Sequence, residues 1–453
     1  MNRTALPAAA AAAAAGAAGA AGATPGAAGF PALGPARRAL FVLALVGFVT
    51  ALEAAMAPLL IEPMKRDLSL SDVQIGLLQG TAFGLAYGLT SMPLGRLIDS
   101  GTRTRQLTAG LVLYAVAMAG SAFAHGIGLL LVCRALLGMV TALLLPASIS
   151  LLADLFRPDR RTVATSLFVV GQACGQAVGI FAGGIVFDAV SRLLVIDPGR
   201  LGGLTAWRTL YLGAAAICLL LVPLLATLRE PARQERQEEA RSTSSALREL
   251  WAYRGFIAPL VAGLLFSTIA LQAPAVWAAP LLVRDFGLTP GGFAGWLGAV
   301  TLGGGILGTL AGGQLAELGR RRGGSRGVLL PAFVAVLAVA PLSCFALAPS
   351  VRLFATMLAL ILFCFGLVQT VGVLAFTLNI PNEIRGLGLG VYTLVAALFG
   401  TATAPAATAL VSRALGGEAM LAQAIVVVSA PSAVVSALFF GLAMRGHAIR
   451  QAG

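Results

Sequence analysis

The chain is dominated by apolar segments about as long as a lipid bilayer is thick. A membrane-spanning helix needs about 20 consecutive apolar residues, and such segments recur from one end of the sequence to the other. Hydrophobic residues make up 58% of the chain and charged residues only 11%, which is unlike a soluble domain. The sequence therefore predicts an all-α membrane protein with twelve transmembrane helices, at about 39–62, 73–98, 105–124, 127–154, 162–188, 207–228, 255–282, 291–318, 328–348, 352–380, 387–411 and 420–444.

A charged segment divides the twelve helices into two groups of six. Residues 229–253 mix both charges and contain no long apolar run, so we expect a solvated cytoplasmic linker or a surface helix there. The linker separates an N-terminal six-helix bundle, 39–228, from a C-terminal one, 254–444. The Ala/Gly-rich residues 1–38 lack the Leu-rich centre of a secretory signal. We expect them to form a disordered cytoplasmic tail, with residues 445–453 as a second cytoplasmic tail.

Membrane topology accounts for the net charge of +13. Cytoplasmic loops retain Lys and Arg, and the Arg-rich stretches at 157–161, 320–326 and 445–450 share one side of the membrane if both termini are cytoplasmic. We therefore expect no nucleic-acid partner, although a basic excess can also indicate one. The five cysteines lie singly in apolar helices, without a CxxC pair. Neither a disulfide framework nor a metal site nor a cofactor is expected.

A charged motif after the second helix is repeated in the second half of the chain. Gly95-x-Leu97-Ile98-Asp99-x-Gly101-x-Arg103 recurs as Gly313-x-Leu315-Ala316-Glu317-x-Gly319-x-Arg321. Two similar bundles can rock about a site between them, as alternating access requires. We expect the motif to be a cytoplasmic gate that braces one bundle against the other while the protein is open outward, through Gly95, Asp99, Arg103, Gly313, Glu317 and Arg321. The alternative is a purely topological role that keeps arginines inside.

The chain resembles the major facilitator superfamily in its duplicated motif, in Arg134-x-x-x-Gly138 on the fourth helix, and in twelve segments around a charged linker. Within that superfamily its first half is similar to the bacterial Spinster-like branch, in LIEPMKRDL (60–68), LSDVQIGLL (70–78) and PLGRL (93–97). The resemblance implies two six-helix bundles in a bacterial inner membrane. It also implies transport of small organic or lipid-like substrates, coupled to an ion gradient that is often of protons.

The chain departs from that family pattern at two positions. The family usually has an Asp-Arg pair on helix 1 and a Glu on helix 4, whereas this chain has Glu53-Ala54 and, at the helix 4 position, Thr141. The resemblance therefore leaves Glu53 as the one carboxylate for a proton site within the membrane.

Glu53 lies roughly 20 Å along its helix, at about 1.5 Å per residue, and so near or somewhat past the middle of the bilayer. A charge there is costly, and we hypothesise that Glu53 carries a coupling proton or contacts substrate. The alternative is a static ion pair with Arg134. The Arg134 guanidinium is suited to an anionic substrate group. Thr141, two turns along the same face, either adds a hydroxyl to that cavity or bonds back to its own helix.

The other polar side chains inside the membrane are mainly amides. They are unfavourable in lipid and should face protein or water, so Gln172, Gln176, Gln272 and Gln369 are cavity-lining candidates. Hydrogen bonds between helices are the alternative for each. Trp277 is a candidate aromatic wall, although Trp near an interface is also a membrane anchor.

Glycines at a four-residue spacing mark three helices: 76, 80, 84 and 88; 171, 175, 179 and 183; and 304, 308 and 312. Small residues let membrane helices pack closely. We interpret these stripes as the faces on which the two bundles meet, against the alternative that glycine is merely frequent in membrane helices.

These features favour a secondary active transporter, with protons and a small, largely apolar or amphipathic organic substrate as its partners. That substrate is expected to be anionic or lysolipid-like. A drug-type proton antiporter, an organic-anion symporter and a non-transporting sensor are the rivals. An enzyme is not expected, because the two histidines, His125 and His447, lie too far apart in the chain for a shared site. The protein is expected to be a monomer in the lipid bilayer.

Overall fold

The computed structural model describes residues 30–234 and 243–446. Within these residues the chain forms twelve long helices, α1–α12, and a short linker helix, Thr243–Ala252. The long helices are α1 Leu33–Leu68, α2 72–100, α3 Arg103–Ala122, α4 Ile127–Leu155, α5 Pro158–Ile196, α6 Ala206–Ala226, α7 Arg254–Arg284, α8 Pro290–Gly324, α9 Arg326–Leu347, α10 Val351–Asn379, α11 382–415 and α12 Leu421–Gly446.

The predicted all-α, twelve-helix membrane architecture is confirmed. Ten of the twelve helices are long and apolar enough to cross a membrane on their own, and α2 and α3, which carry the charged motif residues at their shared turn, complete the set. α1 begins at Leu33, within the segment predicted as a tail. Most of that segment, the middle of the predicted linker and nearly all of the C-terminal tail lie outside the described residues.

Local sequence signals explain where several helices begin and end. α2 starts with a capping box, in which the Ser71 side chain accepts from the Gln74 amide and the Gln74 side chain accepts from the Ser71 amide. The turn between α8 and α9 contains Gly324 with φ of +59°, a left-handed conformation that glycine adopts without strain. The first helix turn after Met56 is a 3-10 turn, Ala57–Leu60, at Pro58, which has no N–H to donate.

The helices form two bundles, α1–α6 and α7–α12, which meet mainly where α2 crosses α11 and α5 crosses α8. The bundles have two ends. The linker end carries the linker and the turns α2–α3, α4–α5, α8–α9 and α10–α11; the far end carries the remaining turns.

The glycine stripe of α2 lies on the interface between the bundles, as predicted. A Cβ added at Gly76, Gly80 or Gly84 would lie 2.7–2.8 Å from atoms of α11, at Ala406, Pro405 and Ala402 respectively. The Thr81 hydroxyl donates to the Ala402 carbonyl across the same contact, at 2.8 Å. Both helices are π-helical here, at Leu77–Ala82 and Ala396–Thr401.

The same interpretation is wrong for α5 and α8. A Cβ at Gly175 or Gly179 would meet the carbonyls of Phe48 and Leu52 on α1, at 2.1 and 2.3 Å, and one at Gly308 would meet the Phe363 carbonyl of α10 at 2.1 Å. These stripes therefore pack helices within a bundle. A four-residue spacing marks a close-packed face, but it does not say which helix that face meets. Between bundles, α5 meets α8 at Gly184, where a Cβ would lie 2.4 Å from that of Ala294.

Candidate functional site

A central cavity lies between the two bundles. Its inner part has a volume of about 280 Å³, and a second part of about 270 Å³ adjoins it toward the linker end, sharing Phe83, Gln272 and Thr401 in its wall. The walls come from α1, α2, α4 and α5 on one side and from α7, α8, α10 and α11 on the other. Because both bundles line it, any movement of one against the other changes the cavity.

A buried ion pair stands at the wall of the inner part. The Arg134 Nη1 donates to Glu53 Oε1 at 2.7 Å, and the Tyr114 hydroxyl donates to Glu53 Oε2 at 2.8 Å. Arg134 also donates through Nη2 to the Gln79 side chain, at 2.8 Å. Glu53 is 1% exposed, and each of its oxygens accepts a hydrogen bond, so neither is left without a partner in the interior.

Arg134 separates Glu53 from the cavity. Arg134 and Gln79 both line the inner part, whereas Glu53 lies behind them. The guanidinium carbon of Arg134 lies 5.5 Å from the centre of the Phe83 ring, and its Nε is buried without a hydrogen-bond partner among the described residues. An anionic group entering the cavity would therefore meet Arg134 first, and the guanidinium has N–H groups beyond the two that bond Glu53 and Gln79.

Close approach of α4 to α2 brings these groups together. A Cβ at Gly138 would lie 2.3 Å from the Phe83 carbonyl, so only glycine lets the backbones come this near. The π-helical turn that contains Gln79 lies at the same level; such turns are frequent at functional sites. On α4, Arg134 thus supplies the positive charge of the site. Gly138, one turn away, lets α2 come close enough for Gln79 to reach that charge.

The predicted amides divide into two groups. Gln176 and Gln272 line the inner part of the cavity, and Gln369 lines the linker-side part, where it accepts from the Tyr392 hydroxyl at 2.6 Å. Gln172 lies over Gly47 of α1 and lines neither part. Of the two roles that the sequence left open for Gln172, the structure favours packing between helices, here between α5 and α1.

Two further candidates lie away from the cavity. The Thr141 hydroxyl donates to the Leu137 carbonyl of its own helix at 2.7 Å, the alternative that its sequence position left open. Trp277 is fully buried behind the wall, and its indole N–H donates to the Pro405 carbonyl of α11 at 3.3 Å. Trp277 therefore supports the α7–α11 contact, and the predicted aromatic wall is instead built from Phe83, Tyr87 and Tyr392.

Sequence reasoning missed Gln79 and Tyr114. Gln79 lies in the glycine stripe of the second helix, and Tyr114 lies in an apolar helix. A single amide or hydroxyl in such a stretch does not by itself indicate a functional site. The tyrosine at the level of Glu53 was the available clue, because a buried carboxylate needs a second donor.

A cluster of charged residues closes the far end. Arg284 of α7 donates to Glu62 at 2.7 Å and, through a second nitrogen, to Asp72 at 2.7 Å, which joins the C-terminal bundle to α1 and α2. Lys65 pairs with Asp72 at 2.6 Å and with Glu418 before α12. Glu418 in turn accepts from the Asp72 amide at 2.9 Å. Three carboxylates and two cations thus tie the bundles together, and sequence reasoning did not identify this closure.

The predicted gate residues lie at the opposite, linker end. Asp99 is exposed and has no described ion-pair partner, and a Cβ at Gly95 or Gly313 would meet nothing within 4 Å. Glu317 pairs along its own helix with Arg320 and with Arg321, at 2.7 and 2.9 Å. In the described part of the chain, these groups therefore make no ion pair from one bundle to the other.

Arg103 is built into the N-terminal bundle instead. It is 1% exposed, and it pairs with Asp154 of α4 at 2.6 Å and with Glu230 after α6 at 2.8 Å. Burial raises the pKa of Glu230, but hydrogen bonds from the Thr104 amide and from Arg103 outweigh this and hold the pKa below its ordinary value. Arg103 therefore fastens α3 to α4 and to the start of the linker.

The comparisons with known proteins agree with this architecture. The sequence profile of the Major Facilitator Superfamily matches residues 43–400. An MFS-type efflux pump of Mycolicibacterium smegmatis is 26% identical over 289 residues, which are 63% of this chain and 63% of that protein. Human protein spinster homolog 1 is 27% identical over 208 residues, 44% of this chain and 36% of that protein. The chain thus aligns with less than two thirds of the length of either relative.

A solved structure matches over nearly the whole chain. It is the crystal structure of a bacterial homolog to the human lysosomal transporter Spinster, in an inward-facing and unoccupied conformation, with a TM-score of 0.74 and 22% identity over 92% of this chain and 97% of that one. The Spinster-like resemblance is thereby confirmed at the level of fold. With the profile match across most of its helices, the chain belongs to the Major Facilitator Superfamily, a family of membrane transporters rather than of enzymes.

Proposed function

We propose that the protein is a secondary active transporter that moves a small amphipathic organic substrate, anionic or lysolipid-like, by alternating access. Coupling to protons runs through Glu53. The observation that carries this proposal is the buried Glu53–Arg134 pair at the wall of a cavity that both bundles line. The efflux pump and spinster relatives support transport as the activity.

The lining of the cavity supports an amphipathic substrate. The inner part is mainly apolar, with Arg134 as its charged group and three amides, Gln79, Gln176 and Gln272, as its other strong hydrogen-bonding groups. The linker-side part adds the hydroxyls of Tyr87, Tyr392 and Thr393. An apolar body with one anionic group fits this distribution better than a sugar, which needs many hydrogen-bonding partners.

Electrostatics give the coupling a mechanism. Glu53 and Arg134 neutralise each other, so the empty site has no net charge. A proton on Glu53 removes that balance and leaves Arg134 as an uncompensated cation beside the cavity, which favours an anionic substrate there. Proton and anion then bind together and are released together.

The same pair would support antiport of a cationic drug if the substrate replaced the proton, and the efflux pump relative favours this second candidate.

The charged cluster that joins the bundles at the far end, and gate residues at the linker end that make no described contact across the bundles, support assignment of this structure to the inward-facing state. Retention of arginines on the cytoplasmic side supports the same orientation, with both termini cytoplasmic in a bacterial inner membrane. In the outward-facing state, Asp99 and Glu317 would find partners on the opposite bundle, with Gly95 and Gly313 giving the space for that contact.

Purified protein in vesicles tests this proposal. With an imposed pH gradient and a screen of lysolipids, organic acids and cationic dyes, we expect gradient-driven movement of at least one class. Glu53→Gln, which keeps the shape and acceptor atom of the side chain, should retain substrate exchange and lose the effect of the gradient. Asp159→Asn, an exposed carboxylate at the linker end, is the matched control. Full gradient-driven activity in Glu53→Gln would overturn proton coupling through Glu53. The substrate class is a separate result, which the screen gives in either case.

The two ends of the molecule give a paired prediction. Arg284→Gln should shift the population toward outward-open by roughly tenfold or more, because a loss of about 1.4 kcal/mol from the far-end cluster already gives a factor of ten. Asp99→Ala should shift it the other way. A reporter Ala279→Cys, buried in the cavity wall of a protein without its native cysteines, can be labelled from the far-end side with an impermeant reagent.

Labelling should accelerate in Arg284→Gln and slow in Asp99→Ala. Arg413→Gln, an exposed arginine also at the far end, and Asp159→Ala are the matched controls. Equal labelling rates in all variants would show that neither end acts as a gate.

A further inference from the structure

A groove on the outside of the C-terminal bundle lies apart from the transport pathway. It has a volume of about 660 Å³ and runs between α8, α9 and α10. Its wall shares no residue with the central cavity. The lining is almost entirely apolar, and two of its residues, Leu330 and Val334, are 50% and 57% exposed. In a bilayer this surface is in contact with lipid chains.

The groove spans about one leaflet. Its lining begins at the α8–α9 turn and reaches Ala338 on α9. From Arg326, where α9 begins, to Ala338 is roughly 18 Å at 1.5 Å per residue, compared with about 15 Å for half of a 30 Å hydrocarbon core. One acyl chain of the leaflet at the linker end therefore matches the groove in length.

A basic cluster stands at the mouth of the groove. It consists of Arg320, Arg321, Arg322 and Arg326, and Glu317 is the carboxylate beside it. Glu317 pairs with the first two arginines. Arg322 lines the groove itself, and both Arg322 and Arg326 are exposed, without an ion-pair partner in the described part of the chain. Among the described residues, two cations are thus left without a carboxylate at the level of lipid headgroups.

Backbone geometry places these arginines together. A Cβ at Gly319 would lie 2.1 Å from the Gly327 carbonyl, and one at Gly327 would lie 1.9 Å from the Gly319 carbonyl. α8 and α9 therefore cross in direct backbone contact next to the turn, where Gly324 takes its left-handed conformation. Arg322 lines the groove, and Arg326 directly precedes Gly327, which also lines it, so the two arginines flank the turn at the same end of the groove.

We propose that this groove binds an anionic phospholipid. Arg322 and Arg326 hold the phosphate headgroup, since guanidinium groups bind phosphate oxygens in paired hydrogen bonds. One acyl chain fills the groove between α8, α9 and α10. Basic pockets between helices at the cytoplasmic surface are suited to such lipids because the charge and the apolar surface act together. The proposal does not depend on the transported substrate.

Thermal unfolding of the full-length protein in detergent, with added phosphatidylglycerol or phosphatidylcholine of the same chains, tests the proposal. We expect phosphatidylglycerol to stabilise the protein at a concentration at least about tenfold lower than phosphatidylcholine. The double variant Arg322→Gln/Arg326→Gln should lose this preference, and Val334→Trp, which fills the groove, should weaken binding of both lipids. Arg352→Gln, an exposed arginine at the far end, is the matched control and should behave as the unchanged protein.

Three outcomes would overturn the proposal. Equal stabilisation by the two lipids would mean that no headgroup is recognised, and an unchanged preference in the double variant would place the site elsewhere. Equal stabilisation by soluble glycerol phosphate would mean that the groove takes no part. Native mass spectrometry of each variant, with the count of retained lipids, gives a second measurement where a variant alters stability by itself.

Discussion

Arg134→Met is expected to lower the free energy of unfolding by about 3–5 kcal/mol, because it leaves a buried carboxylate without its cation. Glu53 would keep one donor, the Tyr114 hydroxyl at 2.8 Å, and Gln79 would lose its partner. Met matches the length of the arginine stem, so that packing against Phe83 is largely retained. Equilibrium unfolding in mixed detergent micelles, with the unchanged protein measured beside it, gives the value.

The double variant Glu53→Gln/Arg134→Met is the matched control. It removes both charges, so most of the lost stability should return, and the two substitutions should be strongly non-additive. If the double variant is no more stable than Arg134→Met, the loss comes from packing and the ion pair is not its cause. Neither variant should show gradient-driven transport, which separates the role of the pair in coupling from its role in folding.

Gly84→Leu is expected to reduce transport by roughly tenfold or more while leaving the protein folded. A Cβ at this position would already lie 2.7 Å from the Ala402 amide nitrogen of α11, and overpacking of this kind costs about 1–3 kcal/mol. The cost falls on the contact between bundles, and so on the state that is closed at the far end. Each bundle keeps its own core, so melting temperature and elution as a single species should change little.

Two other glycines sharpen that test. Gly213→Leu, on the exposed face of α6 with nothing within 4 Å of an added Cβ, should transport normally. Gly175→Leu would drive a side chain into the Phe48 carbonyl within the N-terminal bundle, and should prevent folding instead of trapping a state. Normal transport by Gly84→Leu would refute the view that the α2–α11 contact must open and close.

The candidate site shows how far the chain could be interpreted before its fold was known. The sequence shows a single carboxylate, Glu53, in one apolar helix and a single cation, Arg134, in another. It leaves open whether Glu53 carries a coupling proton or forms a static ion pair with Arg134. The structure joins the two side chains at 2.7 Å, and coupling is the proposed use of that pair. Gln79 and Tyr114 could not be predicted, because a single polar group does not reveal which neighbouring helix it faces.

The repeated motif gives the same lesson for the gate. Its two copies were evident from spacing, but their arginines do different things: Arg103 is buried against Asp154 and Glu230, while Arg321 is exposed beside Glu317. Equivalent positions in a repeat share a place in the fold. The partners of Arg103 come from outside the motif, at the end of α4 and the start of the linker, whereas the partner of Arg321 is the motif's own Glu317.

The sequence by itself determined the number of helices, their division into two bundles, and the repeat that relates them. These follow from hydropathy and spacing, because a bilayer requires about 20 apolar residues per crossing and satisfied backbone groups throughout. Only the tertiary structure decided which faces meet. The glycine stripe of α2 packs against the other bundle, whereas the stripes of α5 and α8 pack within their own. The spacing of the glycines identifies a close-packed face of a helix. Which helix packs against that face depends on the tertiary arrangement of all twelve helices.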